Sequence, residues 1–246
     1  MSNNRLDYIA KHFKEMQLGP DDTFRFHCNQ CGKCCINRED IILNPFDVYR
    51  ASKELGLSTA EFITTYGECY IGDTSKLPLI RLRPRGSIRR CPLLKDRKCS
   101  IQNAKPTVCA LFPIGRAMSG AKQDKASNTN FSAKDTIFIL TPPGCGDRSE
   151  THTVREWLTT FGIPVEDEFF AKWQSVLIRL SVGLRRVIDS VDRDTFNDVV
   201  NSCFSVAYAN YDTSEEFMPQ FEKNAEHLLA LAAILNDCKI QKNTKH

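Results

Sequence analysis

The stretch CNQCGKCC occupies positions 28 to 35 of the chain. In it, Cys28, Cys31 and Cys34 recur at every third position, and Cys35 follows at once. A CxxC spacing lets two thiolates bind one soft metal ion without straining the backbone between them. Gly32 completes a CxxCG knuckle, because a residue without a Cβ lets backbone amides turn toward the sulfurs. This dense run of thiols therefore predicts a set of metal ligands.

The doublet Cys34–Cys35 is the unusual part of this run. Neighbouring side chains in an extended segment point to opposite faces, so we expect these two thiols to be poorly placed for one shared ion. The doublet thus predicts either that the two cysteines serve different sites or that one of them is not a ligand.

Length and composition limit the class of protein. A chain of 246 residues is long enough to bury a core of its own, so metal would add to that core and not replace it. The opening MSNNRLDYIAKHFKEM is polar and amphipathic and does not resemble a secretion signal. No run of residues has the length and apolarity of a membrane span. We therefore expect a cytoplasmic protein, in which the 11 cysteines stay reduced and serve as metal ligands or catalytic groups.

Periodicity and capping signals predict an α+β fold that is mostly α. Helices are predicted at 4–17, 45–55, 58–66, 169–191 and 196–207. Two more are predicted to start at capping boxes, one formed by Thr153 and Glu156 and the other by Thr213 and Glu216. Short strands are predicted around Phe24 and Phe26, at Leu77–Leu82 and at Ile137–Leu140. These elements divide the chain into a metal-binding region with short strands at 1–150 and a helical bundle at 151–246.

Eight cysteines lie beside turn-forming residues or beside one another, and we take them as the candidate ligands. They are Cys28, Cys31, Cys34, Cys35, Cys91, Cys99, Cys109 and Cys145. By contrast, Cys203 and Cys238 lie among apolar helical positions, where a thiol behaves as a small hydrophobic group, and Cys69 fits neither class.

Spacing alone leaves the metal open. The Cys-x2-Cys-x2-Cys run and the Cys91–Pro92 pair are similar to a bacterial ferredoxin, which favours an iron-sulfur cluster of the 4Fe-4S type. The CxxCG knuckle and the lack of clustered histidines fit a zinc or iron ion held by cysteines alone equally well. Eight ligands suit two four-coordinate sites, or one site with spare thiols.

A basic stretch surrounds the second group of thiols. Eight basic residues and one acid between Arg81 and Lys98 give a local charge of +7. Arg89, Arg90, Arg97 and Lys98 adjoin cysteines, so we expect them to compensate the negative charge of a thiolate site. An anion site or a solvated face are the alternatives, and the absence of aromatic residues from the stretch disfavours nucleic acid as a partner.

Several separated motifs together resemble a known family. The CNQCGKCC run, the helix start Asn44–Asp47, the segments CPLL and KPTVCALFP, and the turn PPGCG look like the cysteine-cluster family named YkgJ, described as zinc- or iron-chelating. The resemblance covers residues 24–150 and implies that the eight cysteines are the family's cluster positions. It departs at Lys105, where the family commonly has arginine.

The cysteine region is also similar to that of flagellin lysine N-methylases. That resemblance implies an enzymatic alternative, in which an S-adenosylmethionine-dependent methyltransferase with an iron-sulfur centre acts on a protein substrate. No glycine-rich fingerprint follows a strand here, which speaks against a doubly wound cofactor fold. A zinc-stabilised adaptor that binds nucleic acid or protein through the basic stretch is a second alternative, and thiol oxidoreductase chemistry a weaker one. The first hypothesis is a metal-binding protein, and an enzymatic activity stays open.

Overall fold

The computed structural model describes residues 11–36, 41–120 and 123–238. Its α-helices are α1 (Pro45–Leu55), α2 (Thr59–Tyr66), α3 (Thr107–Leu111), α4 (Val154–Thr160), α5 (Glu168–Val187), α6 (Arg193–Phe204) and α7 (Phe217–Asp237). Its strands are β1 (Gln17–Leu18), β2 (Thr23–His27), β3 (Gly67–Ile71), β4 (Pro78–Leu82), β5 (Leu94–Lys95), β6 (Lys98–Cys99), β7 (Ile114–Met118), β8 (Thr136–Leu140) and β9 (Asp147–Thr153). The fold is α+β and mostly α, which confirms the predicted class.

The strands form small antiparallel sheets. The order β1-β8-β7 makes one three-stranded sheet, while β2 pairs with β9, β3 with β4 and β5 with β6. Antiparallel strands can be joined by a short hairpin turn, or they can pair after a long intervening segment of chain. The described residues therefore contain no parallel doubly wound sheet.

Local sequence signals account for most helix boundaries. Asn44, Ser58 and Thr153 each accept a hydrogen bond from the backbone N–H three residues later, in a complete capping box. Gly56 ends α1 in the left-handed conformation with φ of 65°. These three predicted helix starts, and this stop, are confirmed.

Two predicted boundaries differ from the structure. The predicted capping box of Thr213 and Glu216 is wrong, because α7 begins only at Phe217 and has no side-chain cap. Asp212 instead accepts hydrogen bonds from the N–H and hydroxyl of Ser214, which holds this segment in a turn. Half of the helix predicted at 4–17 lies outside the described residues; of the rest, 11–12 are helical, 13–16 form a turn and Gln17 belongs to β1.

Two hydrophobic clusters form the core. The main cluster joins α1, α2, β4 and the segment before α3 to α5, α6 and α7. The second joins β2, β8, α3 and α4. Each cluster draws residues from both sides of residue 150, so the division at that position stays a prediction.

A buried ion pair fixes the three-stranded sheet to the longest helices. Arg116 on β7 donates from Nη1 to Asp167 Oδ2 at 2.6 Å, and both side chains are almost fully buried. Asp167 also caps α5 by accepting from the N–H of Phe170. Arg116 lies over the ring of Phe170 at 3.8 Å from its centroid. One carboxylate thus sets both the start of α5 and the position of β7.

The closest packing in the helical part is between α5 and α7. A Cβ added at Gly183 on α5 would lie 2.7 Å from the Cβ of Leu235 on α7. Lys172 and Glu222 pair across the same two helices. Among the described residues, no helix is both long and apolar enough to cross a membrane.

We predict that Gly183→Ala destabilises the protein. Alanine improves helix propensity by about 1 kcal/mol, but overpacking typically costs about 1–3 kcal/mol, and Leu235 cannot withdraw its Cβ without moving α7. The urea midpoint of unfolding should fall. Arg186→Ala, an exposed position on the same helix, serves as the control, and an unchanged or higher midpoint for Gly183→Ala would contradict the packing argument.

Candidate metal centre

The CNQCGKCC run follows β2 directly and folds into a tight turn. Gly32 has a left-handed conformation with φ of 73°, which a residue without a Cβ adopts at little cost. Lys33–Cys35 then form one turn of 3-10 helix, closed by the Cys35 N–H to the carbonyl of Gly32 at 2.9 Å. The expectation of an extended backbone is therefore wrong. The sulfurs of Cys34 and Cys35 lie on the same side, 3.8 Å apart.

The pairing of β2 with β9 brings Cys145 to this turn. His27, the last residue of β2, is opposite Asp147, the first residue of β9. Cys145 therefore lies beside the start of the CNQCGKCC run, although more than a hundred residues separate them. The thiol of Cys145 and the backbone N–H of Gly146 both hydrogen-bond to the sulfur of Cys31.

Cys91 and Cys99 are held by short backbone links. The N–H of Cys91 donates to the carbonyl of Cys35 at 2.8 Å, so the two segments touch through their main chains. Cys99 ends the hairpin β5–β6 opposite Leu94. The N–H of Leu94 donates to the carbonyl of Cys91 at 3.1 Å. The amide of Leu93 donates to the sulfur of Cys91, and that of Ile101 donates to the sulfur of Cys99. An amide two residues after the cysteine thus bonds each sulfur, as Lys33 does for Cys31.

A buried carboxylate positions the helix that bears Cys109. Asp47 is 2% exposed and accepts from the N–H of Thr107 at 2.8 Å and from its hydroxyl at 2.6 Å. The amide of Asn44 also reaches the hydroxyl of Thr107, at 3.5 Å. Burial raises the pKa of Asp47, and these hydrogen bonds oppose that shift. The first turn of α1 therefore fixes the first turn of α3, and with it Cys109.

All eight candidate thiols belong to one electrostatic network. The pKa of Cys35 is raised by its hydrogen bond to Cys34, by burial, and by the charges of Cys34, Cys91 and Cys109. The pKa of Cys145 is raised to about 11, by burial first and then by Cys34, Cys31 and Cys28. Burial is also the first cause that raises the pKa values of Cys91 and Cys99, which interact with Cys34 as well.

Cys31 is the exception in this network. The backbone N–H of Lys33 is the largest influence and lowers the pKa of the Cys31 thiol, with further help from Gly146 and Cys145. Since hydrogen bonds to a thiolate favour the charged form, Cys31 is prepared to act as a thiolate ligand.

The structure also places the remaining cysteines. Cys203 is fully buried, as predicted for a core residue, but Cys238 is exposed, so its predicted burial is wrong. Cys69 lies on β3 opposite Ile80, and its thiol interacts with Arg83 and Glu68. All eleven cysteines lie in the described part of the chain, and none of them forms a disulfide.

The thiols are near neighbours but not a finished coordination shell. Over residues 11–36, 41–120 and 123–238, no group of three or more histidine, cysteine, aspartate or glutamate side chains is arranged to hold a metal ion. Coordination of an ion by these thiols would therefore require their side chains to move from these positions.

Sequence reasoning missed an acid–histidine group beside the centre. Glu150 on β9 contacts Nδ1 of His27 at 2.8 Å and Nε2 of His152 at 3.5 Å. The same nitrogen of His152 lies 2.9 Å from the carbonyl of Phe26. These contacts brace the β2–β9 pair next to Cys28. The polar sequence of β9 gave no strand signal from which they could be found.

The basic stretch is divided between packed and exposed side chains. Arg81 pairs with Glu68 at 3.0 Å, and Arg85 lies over the ring of Tyr66. The predicted compensating side chains are exposed, namely Arg89, Arg90, Arg97 and Lys98, so that role stays a prediction. A cation that does act on a cluster thiol is Lys105, whose charge lowers the pKa of Cys99 against the effect of burial.

We predict that Gly146→Ala disrupts the turn that carries Cys145. Gly146 has φ of 73°, and an added Cβ would lie 2.5 Å from the carbonyl oxygen of His27. Strain of this kind costs on the order of 1–3 kcal/mol, and the β2–β9 pair must open to relieve it. The free energy of unfolding, measured with urea, should fall by that amount. Gly144→Ala is a matched control in the same turn, because its Cβ meets nothing within 4 Å, and equal effects of the two changes would contradict this reading.

A second prediction concerns Asp47. Asp47→Ala removes the acceptor of two Thr107 hydrogen bonds and leaves a buried donor unsatisfied, which costs about 1–3 kcal/mol. Because α3 is then no longer fixed, Cys109 should also react faster with a thiol reagent in the folded protein. Glu61→Ala removes the equivalent residue of the α2 capping box, which is exposed and does not contact α3. Glu61→Ala should leave thiol reactivity unchanged, and the same reactivity in both variants would refute the positioning role.

Comparison with known proteins agrees with this geometry. No curated protein and no solved structure gives a significant match to the chain. A family model does match residues 27–137, namely CxxCxxCC, whose description reads "Putative zinc- or iron-chelating domain". Seven of the eight candidate ligands lie in the matched range, and Cys145 lies just beyond it. Residues 27–137, a little under half of the chain, are thus similar to the CxxCxxCC family.

Proposed function

We propose that this protein binds zinc or iron as simple ions through its eight clustered cysteine thiolates. The observation that carries the proposal is the convergence of cysteines from separate parts of the chain: β2 pairs with β9 beside Cys145, the Cys91 N–H donates to the Cys35 carbonyl at 2.8 Å, and the sulfurs of Cys34 and Cys35 lie 3.8 Å apart. Thiolates brought this close repel one another, which is costly unless a cation binds among them. The family description names the same two metals.

Backbone amides support the assignment of these sulfurs as ligands. Donors from Lys33, Leu93 and Ile101 each reach the sulfur of the cysteine two residues earlier. Outer-shell hydrogen bonds of this type orient thiolate ligands and offset their charge. A thiol that served only as a small apolar group in the core would not need such donors.

The family description favours simple ions, since it names zinc and iron and no cluster. The sulfurs of Cys34 and Cys35, 3.8 Å apart, lie close enough for the coordination shells of two such ions to touch. A 4Fe-4S cluster is the second candidate, because Cys28, Cys31 and Cys34 keep the ferredoxin spacing.

The two functional alternatives have less support. The small antiparallel sheets of the described residues lack the parallel arrangement that binds S-adenosylmethionine in doubly wound folds. A protein substrate would therefore require a different cofactor site. An adaptor role of the exposed basic residues would show as binding that weakens steeply with salt. The reduced thiols on which metal binding depends fit a cytoplasmic location.

We predict that the purified protein contains zinc or iron and that Cys31→Ser combined with Cys35→Ser loses it. Structural zinc contributes on the order of 10 kcal/mol of apparent folding free energy, so a chelator should lower the midpoint of thermal unfolding of the wild-type protein markedly. The measurement is elemental analysis with acid-labile sulfide after anaerobic purification. Sulfide with iron and a brown colour would select the cluster, and a colourless protein with zinc would select the simple ion.

The control for this experiment is Cys69→Ser combined with Cys238→Ser. Both cysteines are exposed, and neither belongs to the network of eight thiols. The control should keep the metal content of the wild type. Equal metal content in the two double variants would refute the proposed ligands.

A further inference from the structure

We propose that the eight cysteines form two separable metal sites, an outer site at the surface and an inner site against the hydrophobic core. This inference rests on the proposed metal binding and divides its ligands. The outer set is Cys28, Cys31, Cys34 and Cys145, and the inner set is Cys35, Cys91, Cys99 and Cys109.

The outer set is built on the end of the β2–β9 pair. His27 pairs with Asp147, so Cys28 and Cys145 leave the two strands at the same end. Cys31 joins them through its hydrogen bond to Cys145. Cys28 is exposed, whereas the other seven candidate thiols are partly exposed. The outer set therefore contains the ligand most open to solvent.

The inner set is built against the main core. Cys91, Cys99 and Cys109 pack against the hydrophobic cluster that contains α5 and α7. Cys35 joins this set through its carbonyl, which accepts the N–H of Cys91 at 2.8 Å, and its thiol interacts with those of Cys91 and Cys109. These four thiols come from three segments that the core holds in place.

Cys34 lies between the two sets. Its thiol interacts with Cys31 and Cys145 on one side and with Cys91 and Cys99 on the other. Cys34 is assigned to the outer set because Cys31 and Cys34 form a CxxC pair, a spacing that lets two thiolates bind one ion. The 3.8 Å between the sulfurs of Cys34 and Cys35 is then the contact between two neighbouring coordination shells.

Coordination chemistry favours this division. Zinc and ferrous iron bind four thiolates in a tetrahedron, so a single ion would leave half of the thiols without metal in one crowded network. Two ions use all eight. The two sites should differ in lability, because Cys28 of the outer set is open to water and competing thiols, whereas three of the four inner ligands pack against the main core. The outer site is thus suited to exchange metal and the inner site to hold the fold.

The test uses Co²⁺ added anaerobically to the metal-free full-length chain. Tetrahedral thiolate coordination gives a visible absorption spectrum, and the wild type should saturate at about two equivalents of Co²⁺. Cys28→Ser combined with Cys145→Ser should saturate at about one equivalent with the same tetrahedral spectrum. Saturation of the wild type at one equivalent, or loss of all Co²⁺ binding in this outer variant, would overturn the two-site proposal and leave metal binding intact. Absence of Co²⁺ binding by the wild type would overturn both proposals.

Substitution of an inner ligand would also disturb the core, so the inner site is tested in the wild-type protein. We therefore add a chromogenic chelator to the wild-type protein loaded with zinc and follow metal release. Two phases of about equal amplitude are expected, since four ligands serve each ion. The outer variant should lack the fast phase and keep the slow one. A single phase in the wild type, or loss of the slow phase in the outer variant, would contradict the assignment of the labile ion to the surface.

Discussion

The crowding of eight thiols is the constraint around which the rest of this structure is arranged. The hydrogen bond to Cys34 and then burial raise the pKa of Cys35, and burial first raises the pKa of Cys145, to about 11. Cys31 ionises more readily, because amides of the turn and a neighbouring thiol point at its sulfur. Backbone amides and a neighbouring thiol thus stabilise part of the negative charge of the thiolates, and a bound cation would neutralise the remainder. Metal binding would then offset the free-energy cost of ionising all eight thiols.

Three links between distant segments bring the sulfurs together. Pairing of β2 with β9 joins the first run of cysteines to Cys145. The backbone bond from Cys91 to Cys35 joins the same run to the hairpin β5–β6. Asp47 joins α1 to the helix of Cys109. None of these links involves a cysteine side chain, so they bring the thiols together without using the groups that would bind metal.

The predictable part of the fold is the part with local signals. Asn44, Ser58 and Thr153 each satisfy amides within one turn, so three helix starts could be predicted from the sequence. The pairing of β9 could not, because the sequence DRSETHT has no apolar alternation and finds its partner only across the chain. The backbone conformation of the Cys34–Cys35 doublet was mispredicted for a similar reason. Gly32 turns the chain into a 3-10 helix, and this conformation brings together two sulfurs that an extended strand would separate.

The candidate ligands could be identified from the sequence because clustered cysteines are rare. Their division into two sets could not, because it depends on which thiols pack against the core. Cys91, Cys99 and Cys109 lie against the cluster that includes α5 and α7, and Arg116 ties the adjacent sheet to the start of α5. A substitution at the inner thiols is therefore expected to disturb the packing of the helical part of the protein. A change at Cys28 or Cys145 acts on the end of the β2–β9 pair, which packs against the second, smaller hydrophobic cluster. The proposed difference in lability between the two sites would follow from this difference in packing.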